Sequence, residues 1–302
     1  MNLHITDWMS KLKPSSGPTG DKLPSDDSSG LQPPIVAVAY GSGTNSTAML
    51  IGWVSLGLPV RYITFSDTGG ERPEVYDYLI TFENWLVNRG APPITVVGYR
   101  TRDRRDVSLE QRCLESKTLP SLAYGWKSCS EKFKVRPQNN FMRLQPDAQA
   151  CWKRGQKIVK LIGYDAGETR RTFSVPNSDP RYEFRHPLID WGMDRDDCKR
   201  LIEAVGLPQP GKSSCFFCPS ARKPEIVELA IRHPDLAVRA MQIEANAKDG
   251  LTTVKGLGRR FSWTEFLAEK LKNGELIEPD VCDLEDAYED GSDDLPCGCF
   301  DG

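Results

Sequence analysis

Between residues 35 and 191, short apolar runs alternate with segments whose apolar residues recur at helical intervals. Residues 35–40, Ile-Val-Ala-Val-Ala-Tyr, form an unbroken apolar run, the pattern of a strand buried on both faces of a parallel sheet. Residues 60–65, 94–97 and 157–162 are further strand candidates. A helix is expected through residues 48–53, and Pro73 suits the first turn of a second helix reaching about Arg89. The alternation predicts an α/β fold, a parallel sheet with helices on both faces. After Asp194 the pattern turns mainly helical, with helices expected to near Gly206 and over 224–232, 236–247 and Trp263–Lys272.

Four regions follow. Residues 1–34 are polar and rich in Pro, Ser and Gly, as in a flexible leader. Residues 35–191 form the α/β domain, 192–278 a helical region, and 279–302 an acidic tail. At 39% hydrophobic the chain can build a core, and its formal net charge of −3 argues against coating nucleic acid by bulk charge. The basic run from Arg100 to Arg105 still leaves selective contact with tRNA or DNA open. Neither a signal-like segment nor a membrane-length apolar run is evident, so a cytoplasmic protein with no membrane partner is expected. In that reducing setting nine cysteines point to metal, cluster or catalysis rather than disulfides.

Candidate chemistry sits at the ends of the predicted strands. Gly41-Ser42-Gly43-Thr44-Asn45-Ser46-Thr47 reads as a phosphate-cradling turn: glycines admit backbone N–H groups close to an anion, and Ser46 and Thr47 would cap the helix behind. Asp67-Thr68-Gly69 ends the second strand, and Gly163 leads from the fourth into Asp165, Glu168, Arg170 and Arg171. The two arginines suit forked hydrogen bonds to phosphate or sulfate oxygens. In an open α/β sheet, ligands bind beyond the strands' carboxyl ends, where these motifs lie.

The first loop resembles the Ser-Gly-Gly-x-Asp-Ser signature of the PP-loop, or adenine nucleotide α-hydrolase-like, superfamily. Residues 67–74 resemble the Asp-Thr-Gly-x-x-x-Pro-Glu stretch of its phosphoadenosine phosphosulfate reductase branch, of the kind often encoded by phages. Residues 163–171 resemble that branch's Gly-x-Arg-x-x-Glu-Ser-x-Arg element. Gly41, Ser42 and Asn45 replace Ser, Gly and Asp of the signature, and Asp165 stands where the first arginine is usual. Retained Ser46-Thr47 also resembles the ATP-using thiolation enzymes of the superfamily.

Cys215-Phe216-Phe217-Cys218 has the spacing that lets two thiolates grip one metal centre. The segment around Cys129 resembles the cluster-bearing stretch of sulfonucleotide reductases, and Cys113 is positioned to complete a quartet of Cys113, Cys129, Cys215 and Cys218. Four thiolates suit a [4Fe–4S] cluster, favoured by the resemblance, or zinc. The alternative is that Cys113 and Cys129 are small buried residues and only the pair matters. Cys151, Cys198 and Cys282 read as packing residues.

Cys297-Gly298-Cys299 at the carboxyl end resembles the Glu-Cys-Gly-Leu-His tail of the reductases, whose cysteine attacks the sulfur of a bound nucleotide. The resemblance implies Cys297 as nucleophile, a sulfonucleotide substrate (PAPS or APS), and a thioredoxin-like dithiol releasing sulfite. The acidic tail would then dock on a basic cleft drawn from Lys127, Lys132, Lys134, Arg136, Arg170, Arg171, Arg259 and Arg260. Two other readings stand beside it. In one, an ATP-dependent sulfurtransferase or nucleic-acid modification enzyme adenylates a base and handles sulfur at its cysteines. In the other, a non-catalytic nucleotide-binding accessory protein has inherited the fold.

Overall fold

In the computed structural model, residues 12, 33–174 and 179–276 are described. Strands β1 (Val36–Tyr40), β2 (Tyr62–Asp67), β3 (Ile94–Gly98), β4 (Ile158–Leu161) and β5 (Tyr182–Arg185) form a parallel sheet in the order β3-β2-β1-β4-β5. The principal helices are α1 (Thr44–Ser55), α2 (Pro73–Val87), α3 (Leu109–Ser116), α4 (Arg136–Arg143), α5 (Pro146–Lys153), α6 (Arg195–Ala204), α7 (Lys223–Arg232), α8 (Pro234–Ala247) and α9 (Trp263–Lys272).

The central strand explains the sandwich. β1 is buried along its whole length, with Ala37 opposite Tyr62 of β2 and Val36 opposite Val159 of β4. Its side chains alternate between two cores. Val36, Val38 and Tyr40 pack with Met49, Leu50, Phe82, Leu201 and Ile202 from α1, α2 and α6, while Ala37 faces Met142, Ala148 and Cys151 of α4 and α5. Each fully buried Val, Leu or Phe contributes about 1.5–3 kcal/mol of transfer free energy. Both faces are therefore covered, as the unbroken apolar run requires. Leu12, the described residue of the leader stretch, is fully buried in the first core.

A second core holds the helical region together. Leu109, Phe133, Phe217, Ile226, Ile243 and Trp263 pack from α3, α7, α8, α9 and the segments between them. Glu244 of α8 sits among them, and its carboxylate accepts hydrogen bonds from the N–H groups of Leu257, Trp263 and Thr264 and from the hydroxyls of Ser262 and Thr264. A buried carboxylate is tolerable when its lone pairs are filled in this way. A Cβ at Gly256 would stand 2.0 Å from Glu244 Oε1, so this glycine is needed to let the loop close over the carboxylate.

Several elements differ from the pattern-based expectation. β2 begins at Tyr62 and runs on to Asp67, which places that aspartate at the strand end. β5 was not anticipated: its four residues, Tyr-Glu-Phe-Arg, alternate like an edge strand and lie among polar neighbours. Cys151 and Cys198 are buried packing residues, as expected; Cys282 lies outside the described residues. Among the described residues no helix is long and apolar enough to cross a membrane.

Candidate functional site

The turn after β1 begins with Gly41 and Ser42 and reaches α1 at Thr44, with Gly43 at the N-cap. Ser46 and Thr47 are not caps but first-turn residues facing inward. Ser46 Oγ accepts from Gly41 N at 3.3 Å and donates to Gly43 O at 3.2 Å, so it braces the turn across its own mouth. Thr47 Oγ1 pairs with the Tyr40 hydroxyl at 3.1 Å, tying α1 to the end of β1. Ser42, standing where the signature has glycine, adopts φ 58°, a left-handed conformation unfavourable for a residue with a Cβ.

The loop is crowded by two other segments. A Cβ on Gly163 would lie 2.8 Å from both N and Cα of Ser46, and one on Gly43 would lie 2.7 Å from Ser213 Oγ. Glycine at 163 is thus what lets the exit of β4 pass against the backbone of α1's first turn. That passage delivers Asp165 to Asn45, whose Nδ2 donates to Asp165 Oδ2 at 2.8 Å and to Glu168 Oε2 at 3.0 Å. Burial and the neighbouring Glu168 raise the Asp165 carboxyl above its ordinary value. Asn45 Oδ1 is buried and has no hydrogen-bond partner among the described residues.

Of the two arginines expected to hold an anion, Arg171 is engaged with Glu168 and lies over the Tyr164 ring at 4.4 Å. Arg170 is exposed on the same 3-10 segment, Ala166–Ser174. At the end of β2, Asp67 Oδ1 accepts from Gly69 N at 2.7 Å and from the Tyr76 hydroxyl at 2.9 Å. Burial, and Asp67 beside it, push the Tyr76 phenol well above its usual range. Gly69 has φ 69°, and a Cβ there would strike Ser108.

Beyond Thr68 lies a small pocket walled by Cys129, Ser130, Lys134, Cys215 and Cys218 as well as Thr68. Thr68 Oγ1 and Cys215 Sγ are 3.2 Å apart, and Cys218 Sγ lies 3.0 Å from Ser220 Oγ. Ser66 Oγ donates to Lys134 O at 2.8 Å, fastening the π-helical turn Glu131–Val135 to β2. Burial, then the Glu71 carboxylate, push the Cys215 thiol well above its usual range, with Lys134 opposing.

The expected quartet does not assemble as a ligand set. Three of its members, Cys129, Cys215 and Cys218, line the pocket, but Cys113 is buried in the second core. Burial and the Cys129 thiol beside it push Cys113 up to about 12. Among the described residues no group of three or more His, Cys, Asp or Glu side chains is spaced to hold a metal ion. Cys129 nevertheless lies beside both Cys113 and Cys215. Cys113 sits on the packed face of α3 in the second core, against which Cys129 and Cys215 also pack.

The 255–260 loop, Lys-Gly-Leu-Gly-Arg-Arg, owes Gly256 to Glu244 and packs Gly258 against Phe261, which is structural use of glycines that also suit a phosphate loop. Cys297, with the rest of the tail, lies outside the described residues. Sequence reasoning named Lys134 only as a cation for the tail and did not see Thr68's link to the thiols. The local signal was the Ser66-Asp67-Thr68 strand end, but the partners lie 68 and 147 residues away.

No family model and no curated protein matches this chain. Among solved structures, the U34-tRNA thiolase NcsA from Methanococcus maripaludis with its [4Fe–4S] cluster is similar at a TM-score of 0.43 and 13% identity, covering 79% of this chain and 77% of that one.

Proposed function

We propose that this protein is an ATP-dependent sulfur-transfer enzyme of the PP-loop type, with the nucleotide at residues 41–47 and 67–69 and sulfur handled in the neighbouring thiol pocket. The observation that carries the reading is the Thr68–Cys215 contact at 3.2 Å: one residue belongs both to the nucleotide motif after β2 and to the wall holding Cys129, Cys215 and Cys218. Activated acceptor and sulfur carrier can meet there without a travelling terminal thiol. The Asp165 and Glu168 carboxylates beside the loop also receive a nucleotide carried as its divalent-cation complex better than a metal-free sulfonucleotide.

In this reaction an acceptor oxygen attacks the α-phosphorus of ATP and releases pyrophosphate. A pocket cysteine loaded with a persulfide by an external persulfide donor then displaces AMP, a second cysteine closes a disulfide with the first as sulfur stays on the acceptor, and an external dithiol reduces that disulfide. The fold's contribution is orientation, since the loop backbone, Thr68 and the pocket share one end of the sheet.

The test compares two product assays on the purified full chain. Pyrophosphate release from ATP in the presence of acceptor, retained in Cys129→Ser while sulfur incorporation is lost, supports the proposal. Sulfite release from PAPS or APS with thioredoxin, abolished in Cys297→Ser, would overturn it in favour of the reductase.

A further inference from the structure

The segment that walls the thiol pocket also carries the most exposed tryptophan among the described residues. Trp126 is 71% exposed, at the tip of the chain between the 3-10 turn Ser121–Tyr124 and the turn Ser128–Ser130. Its place is fixed from below: Trp126 N donates to Ser121 O at 3.1 Å, and Cys129 N donates to Ser121 Oγ at 2.8 Å. An indole held in water by a rigid turn contributes nothing to the core. It offers a flat apolar face to something outside.

Cations lie beside it and on the adjoining segments. The Arg259 guanidinium reaches to within 3.9 Å of where a Cβ on Gly125 would sit, next to Trp126. Lys127 follows directly and is exposed. One helical turn on, Lys132 Nζ lies 4.9 Å over the ring of Tyr99, which itself stacks on Phe133 at 4.8 Å. From Tyr99 the chain enters the Arg100-Thr101-Arg102-Asp103-Arg104-Arg105 turn, closed by the Arg100–Asp106 bridge and by Val107 N donating to Tyr99 O. Arg100 pairs with Asp106 and Arg105 with Asp103, whereas exposed Arg102 and Arg104 have no ion pair among the described residues. Seven cations here stand against four carboxylates, Asp103, Asp106, Glu115 and Glu131, in a chain of formal net charge −3.

We infer that this surface binds an unpaired polynucleotide strand and presents one of its bases to the thiol pocket. The inference rests on the proposed reading and names its acceptor. Phosphates meet the arginine turn and Lys127, while a base stacks on Trp126, the pairing of charge and aromatic face that single strands use. Because Leu122, Cys129 and Lys134 of the same segment line the pocket, a base next to the stacked one is at its mouth.

The experiment is fluorescence anisotropy of the full chain with labelled twelve-nucleotide RNA, the same sequence as DNA, and the RNA in duplex form. Single strands are expected to bind at least tenfold tighter than duplex, and the RNA and DNA arms decide which polymer is preferred. Trp126→Ala is expected to weaken single-strand binding about tenfold with little change in salt dependence. Arg102→Ala/Arg104→Ala is expected to flatten the slope of log affinity against log salt by about 1–2. Circular dichroism melts of both variants should match the parent, since neither side chain is packed.

Unchanged binding in both variants overturns the inference, as does equal affinity for duplex. So does preferential capture of a synthetic peptide of residues 279–302, which would make the acidic tail the occupant of this surface. ATP binding is measured alongside by calorimetry. Nucleotide binding without strand binding overturns the inference alone, whereas loss of nucleotide binding in the parent chain overturns the proposed function.

Discussion

Asn45 and Asp165, 120 residues apart in sequence, are bonded to each other: Asn45 Nδ2 donates to Asp165 Oδ2 at 2.8 Å. Each is a position where this chain departs from the pattern it resembles, aspartate to asparagine in the loop and arginine to aspartate after β4. The amide at 45 donates to both Asp165 and Glu168, where a third carboxylate would repel them.

A carboxylate at position 45 would face both Asp165 and Glu168 with no donor between them. Asn45→Asp is expected to lower stability by about 1–3 kcal/mol at neutral pH and to weaken nucleotide binding. Asn45→Asp combined with Asp165→Arg, which restores an opposite-charge pair, should recover most of the loss. A double-mutant cycle by urea denaturation measures the coupling, and purely additive effects would show that the two positions do not interact.

At Gly163 the constraint is steric. The β-carbon introduced by Gly163→Ala meets Ser46 N and Cα at 2.8 Å, and because these are backbone atoms the first turn of α1 must shift. A loss of about 1–3 kcal/mol is expected, together with reduced ATP affinity by calorimetry. Gly98→Ala, whose added carbon meets nothing nearer than 3.9 Å, serves as the control and should be close to neutral.

Lys160 gives a pH-dependent prediction. It is buried in β4 beneath the Tyr182 ring at 5.6 Å, and burial lowers its ammonium from 10.5 to about 8, only partly opposed by Asp179 and Glu131. A base with a depressed pKa in the fold binds fewer protons there than in the unfolded chain. Stability therefore rises with pH between about 8 and 10.5, and the full cost of charging the buried amine is felt below 8. Lys160→Met is expected to stabilise the protein by about 1–3 kcal/mol near pH 7, an advantage that shrinks as pH rises through that window. Melts of parent and variant from pH 6 to 10 check this; a pH-independent difference would contradict it.

Glu244 is expected to be the costliest carboxylate to remove from the helical region. Its two oxygens serve Leu257, Ser262, Trp263 and Thr264, so Glu244→Ala strands several buried donors at once and should cost about 3–5 kcal/mol. Glu269→Ala, on the exposed face of α9, should change stability by less than about 0.5 kcal/mol. Guanidinium titration of both variants compares them directly.

What could be read along the chain was whatever depends on near neighbours. Largely apolar runs gave away the inner strands, because polar side chains such as Lys160 of β4 are costly in a strand buried on both faces. Pro73, the Asp194 cap and the period of residues 223–247 marked helices, and the glycine-rich turn marked the end of β1. β5 escaped because an edge strand of four residues carries little pattern of its own. The Cys215-x-x-Cys218 pair was visible as spacing, but whether Cys113 belonged with it was not, since a thiol filling a core and a thiol reaching a ligand look alike in sequence.

Tertiary structure alone decided the pairings across long separations: Asn45 with Asp165, Thr68 with Cys215, and Glu244 with the loop that Gly256 lets close. The amino-acid order determined which segments are strands and helices, through burial and backbone preference acting over a few residues. Which polar side chains then meet depends on strand order and on how closely two backbones can approach, and neither is expressed within any short stretch of this chain.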